Sequence, residues 1–251
     1  MTDLHCHILP QIDDGAKDIQ TSLKLLEMEK KDGINNVALT SHFYCEYTVL
    51  EKFLSDRNLA FEKLKGNLGE LKDCFSFKLG CEVFFSPRLF HMEIQKLCLE
   101  DTKVLLLELP TTHCPQFFNE FLLDVQEKGI IPVIAHVERY LYVINNPDIL
   151  FHWIEAGAFM QINANALFKN KNQTNRIVKF IKWGLVHVIA SDAHSLEKRP
   201  PKMQQAFSIL EKALGSKTVN LLQQNADMLF EGRELELCEI HRPKKFGRWW
   251  Y

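Results

Sequence analysis

Residues 1–18 read MTDLHCHILPQIDDGAKD, and this stretch sets the pattern for the rest of the chain. A short, largely apolar run, Met1–His5, ends in a His-Cys-His sequence, and a helical pattern begins at Asp18. The same order recurs along the chain: an apolar, β-branched run ends in polar residues and is followed by an amphipathic segment. Such alternation predicts a parallel sheet covered by helices on its outer face.

Seven strands are predicted, at Met1–His5, Asn36–Thr40, Ser76–Cys81, Val104–Glu108, Ile131–Ala135, Phe159–Asn163 and His187–Ala190. Eight helices are predicted, at Asp18–Lys31, Leu50–Leu71, Pro87–Cys98, Pro115–Glu127, Pro147–Glu155, Thr174–Trp183, Lys202–Leu214 and Ser216–Asp227. No stretch between them is typical of an interdomain linker. The pattern therefore favours one closed α/β barrel, with a doubly wound open sheet as the alternative.

The composition excludes several classes of protein. A net charge of −2 gives no electrostatic reason to expect nucleic-acid binding. Seven cysteines without CxxC spacing favour reduced thiols in a cytoplasmic protein. No secretion signal is recognised, and no run reaches the ~18 apolar residues that a membrane span needs.

Metal-ligating residue types gather at the carboxyl ends of the predicted strands. They are His5, His7, His42, Glu82, Glu108, His136, Asp192 and His194. Each one alone has an ordinary structural explanation, such as a charge near a helix N-terminus for Glu108. In a parallel barrel, however, these strand ends all lie on one face. The other histidines, His91, His113, His152, His187 and His241, are expected to be structural or surface residues.

Imidazoles mixed with carboxylates suit Mn²⁺, Fe²⁺ or Zn²⁺. The residues are too many to coordinate one ion, so they predict a cluster of two or three ions. Arg139 and Arg199 follow two of the histidine motifs and suit bidentate contact with a phosphate, although surface ion pairs are the alternative. The chain lacks CxxxxxR, GxSxG and GxxxxGK[ST] segments, so the usual signals of cysteine phosphatases, serine hydrolases and P-loop enzymes are missing.

Six segments together resemble the PHP (polymerase and histidinol phosphatase) superfamily: DLHCHILPQIDDGAKD, TSH, GCE, LLLELP, IPVIAHVERY and VHVIASDAHSLEKRPP. Within it, they most resemble the manganese-dependent protein-tyrosine phosphatases of bacterial capsule and exopolysaccharide clusters. The resemblance runs from Met1 to about Leu229. It implies a distorted (β/α)7 TIM-like barrel, with a single PHP domain over residues 1–230 and a C-terminal basic and aromatic tail over 231–251.

The resemblance also implies a set of roles. His5, His7 and Asp192 would hold a first ion, Glu82 would bridge it to a second ion completed by Glu108 and His136, and Asp14, His42 and His194 would hold a third. Arg139 and Arg199 match the family's phosphate-binding arginines. Manganese is the expected metal, with iron, zinc, cobalt or magnesium as substitutes. Phe43 departs from the pattern, because relatives often carry a basic residue there.

The implied activity is hydrolysis of phosphotyrosine, with a bacterial tyrosine autokinase as the partner that controls polysaccharide assembly. One alternative is a phosphatase for a small phosphomonoester such as histidinol phosphate, which a deep, lidded pocket would favour. An amidohydrolase usually adds a metal-bridging lysine, and no lysine ends the middle strands. A non-catalytic PHP interaction module would have lost ligands. The oligomeric state stays open.

The tail at 241–251, HRPKKFGRWWY, carries four basic residues and four aromatics. Such a segment suits contact with a membrane surface or a kinase. A solvated tail, or a segment packed on a neighbouring part of the protein, is the alternative.

Overall fold

The computed structural model describes residues 1–235, 239–246 and 249–250. The strands are β1 (Thr2–Cys6), β2 (Asn36–Leu39), β3 (His42–Phe43), β4 (Ser76–Leu79), β5 (Glu82–Phe84), β6 (Val104–Glu108), β7 (Ile131–Ile134), β8 (Phe159–Asn163), β9 (Val188–Ala190), β10 (Lys245–Phe246) and β11 (Trp249–Trp250). The helices are α1 (Ile19–Lys31), α2 (Leu50–Lys65), α3 (Phe118–Glu127), α4 (Leu141–Asn145), α5 (Asp148–Glu155), α6 (Lys171–Lys182), α7 (Met203–Leu214) and α8 (Ser216–Phe230).

The first nine strands form a curled parallel sheet. Their order is β1-β2-β4 in one part and β3-β5-β6-β7-β8-β9 in the other. Only Thr40–Ser41 separate β2 from β3, and only Gly80–Cys81 separate β4 from β5. β2 and β4 match the predicted strands Asn36–Thr40 and Ser76–Cys81, and β3 and β5 continue them after a short interruption. The seven predicted strands and the distorted barrel are thus confirmed, and the interruptions are part of the distortion.

The ring closes between its first and last strands. Cys6 pairs with Ala193 in a single parallel bridge. The backbone N–H of His7 donates to the Ala193 carbonyl over 2.9 Å, and the N–H of Asp192 donates to the His5 carbonyl over 2.8 Å. This seam brings the residues after β9 beside the end of β1.

Buried apolar side chains hold the helices on the strands. All five residues of β6 are buried, as expected for a strand covered on both faces. Helix α1 begins where the Asp18 side chain accepts a hydrogen bond from the Thr21 N–H, and it buries Leu25 and Leu26 completely. Burial of each leucine contributes about 2 kcal/mol.

Two of the predicted helices differ from the structure. The helix predicted to reach Leu71 ends at Lys65, where the N–H of Gly66 caps the last turn, and a 3-10 helix follows at Gly69–Cys74. The helix predicted at Pro87–Cys98 is wrong, because two short 3-10 helices, Pro87–His91 and Ile94–Leu97, replace it. These short turns bury Leu89, Ile94 and Leu97, so helix-like apolar spacing did not require a continuous helix.

The described part of the tail packs on the helical layer. Arg242 forms a bidentate ion pair with Asp148 at 2.8 and 2.9 Å, and the indole N–H of Trp250 donates to the Asn145 carbonyl. The residues at 236–238, 247, 248 and 251 lie outside the described residues. The domain boundary at residue 230 and a membrane or kinase contact of the tail stay predictions.

Two further sequence expectations concern the described residues. Their six cysteines are free thiols. Within the same ranges, no helix combines the length and the apolar character that crossing a membrane requires.

A buried carboxyl on α1 gives a prediction about stability. Glu29 is fully buried, and burial, followed by the charge of Asp3, raises its pKa well above the usual range; Asp32 adds to this effect. A carboxyl whose pKa is higher in the folded than in the unfolded protein stabilises the fold below pH ~4.5. That stabilisation is lost as the pH rises through the pKa of the folded state. We therefore expect Glu29→Gln to stabilise the protein at pH 8 by on the order of 1 kcal/mol or more, and by less at pH 5. Denaturant unfolding at both pH values measures this, and an equal effect at both would contradict it.

Candidate metal centre

The nine predicted ligands meet at the carboxyl-terminal face of the barrel. Their side chains come from the ends of β1, β6, β7 and β9, from the short strands β3 and β5, and from the loop after β1. Three groups place one ligand atom of each member within 4.8 Å of the others: His5, His7, Glu82 and Asp192; His7, Asp14, His42 and His194; and His42, Glu82 and Glu108. His136 lies beside the third group, with its Nε2 2.7 Å from Glu82 and 3.5 Å from Glu108.

Glu82 lies at the middle of this cluster. Its Oε2 atom is 3.1 Å from His5 Nε2, 3.2 Å from His7 Nε2 and 3.1 Å from His42 Nδ1. The strand interruptions produce this arrangement, because they allow β3 and β5 to pair in a register that sets His42 directly opposite Glu82.

The polar atoms at the centre fit a set of cations. Glu82 Oε2, His42 Nδ1, Asp192 Oδ1 and His194 Nε2 are buried and have no hydrogen-bond partner among the described residues. They lie close to one another without hydrogen-bond geometry, and buried polar groups left unpaired cost free energy. Neutral imidazoles and carboxylates aimed at common points are the donor set of a transition-metal centre.

The electrostatics keep the central carboxylates ionised. Burial by itself would raise the pKa of Glu82, but His5, His136 and His7 outweigh burial and hold that pKa well below its usual range. At the rim, burial and the charge of Glu82 raise the pKa of Glu108 to about 7. Burial would lower the pKa of His7, yet Asp13 and Glu82 raise it to about 10. Positive charge is therefore favoured at the centre, where cations would replace protons.

Asp13 is a residue of this site to which sequence reasoning gave no role. Its Oδ2 atom lies 2.7 Å from His7 Nδ1 and accepts from the His42 N–H over 3.0 Å. This contact holds the His7 ring so that Nε2 faces Glu82, as carboxylates commonly orient metal-bound histidines. Its neighbour Asp14 reaches the solvent side, with a side chain 66% exposed.

Gly15 lets the loop after β1 fold back on His7. A Cβ atom there would lie 2.2 Å from the His7 carbonyl oxygen. The Gly15 N–H donates to Asp13, and the Ala16 N–H donates to the His7 carbonyl. The close approach thus delivers both Asp13 and Asp14 to the centre.

The two predicted arginines converge on Asp192. Arg199 makes a 2.5 Å contact with Asp192 Oδ2, and Arg139 lies 3.8 Å from the same oxygen. Arg199 reaches the site because its carbonyl accepts from the His194 N–H and its own N–H donates to Ser195 Oγ, which closes the loop. Both arginine side chains are about one-third exposed, but the Asp192 carboxylate that they contact is buried in the cluster, so neither forms an ordinary surface ion pair.

Two of the histidines that were expected to be structural or surface residues are confirmed as such. His187 is buried, its Nδ1 accepts from the Met160 N–H, and burial lowers its pKa to about 4. His152 lies on the surface beside Asp148 and Glu155.

The fold and the site together define a parallel barrel protein with a candidate polynuclear metal centre at the carboxyl ends of its strands. A family model described as capsular polysaccharide synthesis, CpsB/CapC, matches residues 1–231. The chain belongs to this family.

Named relatives of the chain are tyrosine phosphatases. It is 32% identical to the tyrosine-protein phosphatase YwqE of Bacillus subtilis, over 98% of this chain and 99% of that protein. It is also 32% identical to the tyrosine-protein phosphatase CpsB of Streptococcus pneumoniae, over 86% of this chain and 92% of that protein.

Solved structures agree with this relationship. One match comes from the crystal structures of YwqE from Bacillus subtilis and CpsB from Streptococcus pneumoniae, described as unique metal-dependent tyrosine phosphatases. Its TM-score is 0.90 and its sequence identity is 30%, and the match covers 98% of this chain and 100% of that one. A histidinol phosphate phosphatase from Lactococcus lactis matches with a TM-score of 0.52 and 16% identity, over 85% of this chain and 93% of that one. The second likeness concerns the fold alone.

Proposed function

We propose that this chain is a metal-dependent protein-tyrosine phosphatase that does not use a cysteine nucleophile. The observation that carries the proposal is the cluster of nine histidines and carboxylates with Glu82 at its middle, in which several buried polar atoms have no hydrogen-bond partner among the described residues. The family membership and the relatives' activities support the same reaction.

We propose that the cluster formed by the three overlapping ligand groups and His136 holds three divalent ions, with manganese as the metal. His5, His7 and Asp192 would hold one ion and share Glu82 with a second, which Glu108 and His136 complete. Asp14, His42 and His194 would hold the third. When bound, such ions lower the pKa of water and neutralise phosphoryl oxygens.

Arg139 and Arg199 would bind the phosphoryl group. Their guanidinium groups reach the rim beside Asp192, where each offers paired N–H donors to the oxygens of a phosphate. The leaving phenol has a pKa of ~10, so it departs with little help from a general acid. A leaving group that needs little acid catalysis suits this site, because its carboxylates contact imidazoles and are not free to act as a general acid.

The shape of the rim supports a peptide substrate. A cavity of about 630 Å³ begins at Asp13, Asp14 and His42 and extends outward to Tyr44, Tyr47, Leu59 and Lys63. Tyr47 is 87% exposed and Leu59 is 67% exposed, and the Tyr44 ring lies 5.3 Å from the His42 ring. An open, partly aromatic groove suits the residues around a phosphotyrosine better than a small phosphomonoester.

A tyrosine autokinase of polysaccharide assembly is the partner we propose, in the cytoplasm. The support is the family's association with capsular polysaccharide synthesis. A phosphotyrosine on an exposed protein segment would fit the open groove.

The decisive experiment measures hydrolysis of a phosphotyrosine peptide with Mn²⁺, with and without a chelator, together with metal content. We expect turnover that requires the metal and a kcat/KM for the peptide at least ~10-fold above that for histidinol phosphate, because the groove binds more of the peptide. Failure to hydrolyse the peptide in saturating Mn²⁺ would remove the proposed activity. A preference for histidinol phosphate would remove the proposed substrate.

A groove variant provides the control. Tyr47→Ala removes an exposed ring that touches no predicted ligand, so it should raise KM for the peptide while leaving the hydrolysis of a small aryl phosphate unchanged. Equal effects on both substrates would show that the groove does not bind the peptide.

A further inference from the structure

Strand β8 supplies none of the predicted ligands, yet it carries two buried amides beneath the centre. Gln161 is fully buried and Asn163 is 7% exposed. They occupy alternate positions, so both side chains leave β8 on the same side.

The two amides connect three predicted ligands. Gln161 Oε1 accepts from the backbone N–H of His136 over 2.8 Å and lies 3.2 Å from His5 Nδ1. Gln161 Nε2 donates to Asn163 Oδ1 over 2.8 Å. Asn163 Nδ2 in turn donates to Asp192 Oδ2 in a short hydrogen bond.

The direction of this chain of hydrogen bonds is fixed at both ends. The His136 backbone N–H only donates, so the Gln161 atom that faces it is the oxygen. The ionised Asp192 carboxylate only accepts, so the Asn163 atom that faces it is the nitrogen. With both ends fixed, Gln161 must donate to Asn163.

This direction determines the tautomer of His5. Because Gln161 presents an oxygen, His5 Nδ1 carries the proton and the lone pair of the neutral ring lies on Nε2. Nε2 is the atom that lies 3.1 Å from Glu82 Oε2 and 3.1 Å from His7 Nε2.

Two of the residues that these hydrogen bonds contact have unusual backbone conformations. His136 has φ +34° and Asp192 has φ +52°, both in the left-handed region that non-glycine residues avoid. Each costs of order 1 kcal/mol or more and persists only where surrounding contacts hold it.

We propose that Gln161 and Asn163 act as one amide relay that positions His136 and Asp192 and selects the metal-binding tautomer of His5. They are positioning residues, because their side-chain hydrogen bonds go to predicted ligands and to each other. The inference rests on the metal centre of the proposed function and adds the residues that prepare its ligands.

Metal binding tests the relay without any substrate. Gln161→Met keeps the length of the side chain but removes its acceptor and donor, and Asn163→Leu removes the donor to Asp192. We expect each to weaken Mn²⁺ binding about 10- to 100-fold in competition with a chelator of known affinity, as losses around metal ligands commonly do. The double variant should lose less than the product of the two factors, because the relay acts as a unit.

Asn225→Leu is the matched control. Asn225 is a buried amide on α8 that donates to the His187 carbonyl, away from the centre. It should lower the melting temperature of the metal-free protein about as much as the relay variants do, yet leave metal affinity unchanged. The proposal would be overturned if the relay variants bound Mn²⁺ within twofold of the wild-type affinity, or lost no more affinity than the control. It would also be overturned if the double variant lost the full product of the two single-variant factors.

A second measurement keeps the test decisive where Gln161→Met does not fold. Long-range proton–nitrogen NMR of the Zn²⁺-loaded wild type should show His5 protonated at Nδ1, and a proton at Nε2 would overturn the relay. Hydrolysis of the phosphotyrosine peptide by the wild type is measured separately. A protein that binds metal but lacks that activity would contradict the proposed function and leave the relay standing.

Discussion

Glu82→Gln is expected to remove the tightly bound metal ions and to lower phosphotyrosine hydrolysis by about 10³-fold or more, the scale seen when groups that act as a unit are lost. The change is isosteric, so the cause is chemical. An amide that replaces the carboxylate has no negative charge for two cations to share, and its NH2 group would point at the imidazole lone pairs around it. Metal analysis and peptide hydrolysis in excess Mn²⁺ measure both effects.

Glu29→Gln is the matched control for Glu82→Gln. Both glutamates are fully buried, but Glu29 lies on α1 and contributes no atom to the three ligand groups. It should retain the metal content and activity of the wild type. A Glu82 variant that still binds its full complement of ions would contradict the assignment of the central carboxylate.

Arg139→Ala and Arg199→Ala are each expected to lower kcat/KM by about 10²- to 10³-fold while the metal content stays at the wild-type level. Neither arginine is a predicted ligand, and both guanidinium groups lie at the rim where a phosphoryl group would be held. The lysine variants should recover only part of the loss, because lysine keeps the charge but not the planar pair of donors. Steady-state kinetics together with metal analysis separate substrate binding from metal loss.

Arg242→Ala provides the corresponding control, since it removes an exposed arginine whose ion pair with Asp148 includes no predicted ligand. It should leave kcat/KM unchanged. Loss of metal from the Arg139 or Arg199 variants would mean that these residues hold Asp192 in place instead of binding the substrate.

The sequence was sufficient for the parts of the fold that follow from local periodicity. The strands end in ligand-type residues, and a parallel ring necessarily collects such ends on one face, which predicted the location of His5, Glu108 and His136. The helix predicted at Pro87–Cys98 failed because the spacing of its apolar residues also fits two short turns.

The parts that the sequence did not predict depend on contacts between distant segments. Asp13 and Asp14 are adjacent and chemically identical, and the loop that folds at Gly15 decides which one contacts His7. Gln161 and Asn163 gave no ligand signal, because amides on a buried strand are conspicuous only when their partners are known. The strand interruptions could not be predicted from the sequence either, since Thr40–Ser41 and Gly80–Cys81 resemble ordinary strand ends.

The seam between β1 and the residues after β9 has a consequence for the order of events during synthesis. The ligand group of His5, His7, Glu82 and Asp192 joins positions that are nearly the whole barrel apart in sequence. Until Asp192 and His194 have emerged from the ribosome, the ring of a nascent chain is open and its ligand groups are incomplete. This holds even if the earlier strands have already paired. Metal binding would therefore require a complete barrel. The closing contact joins the segments that are farthest apart in sequence, so it costs the most chain entropy, and bound ions would stabilise it.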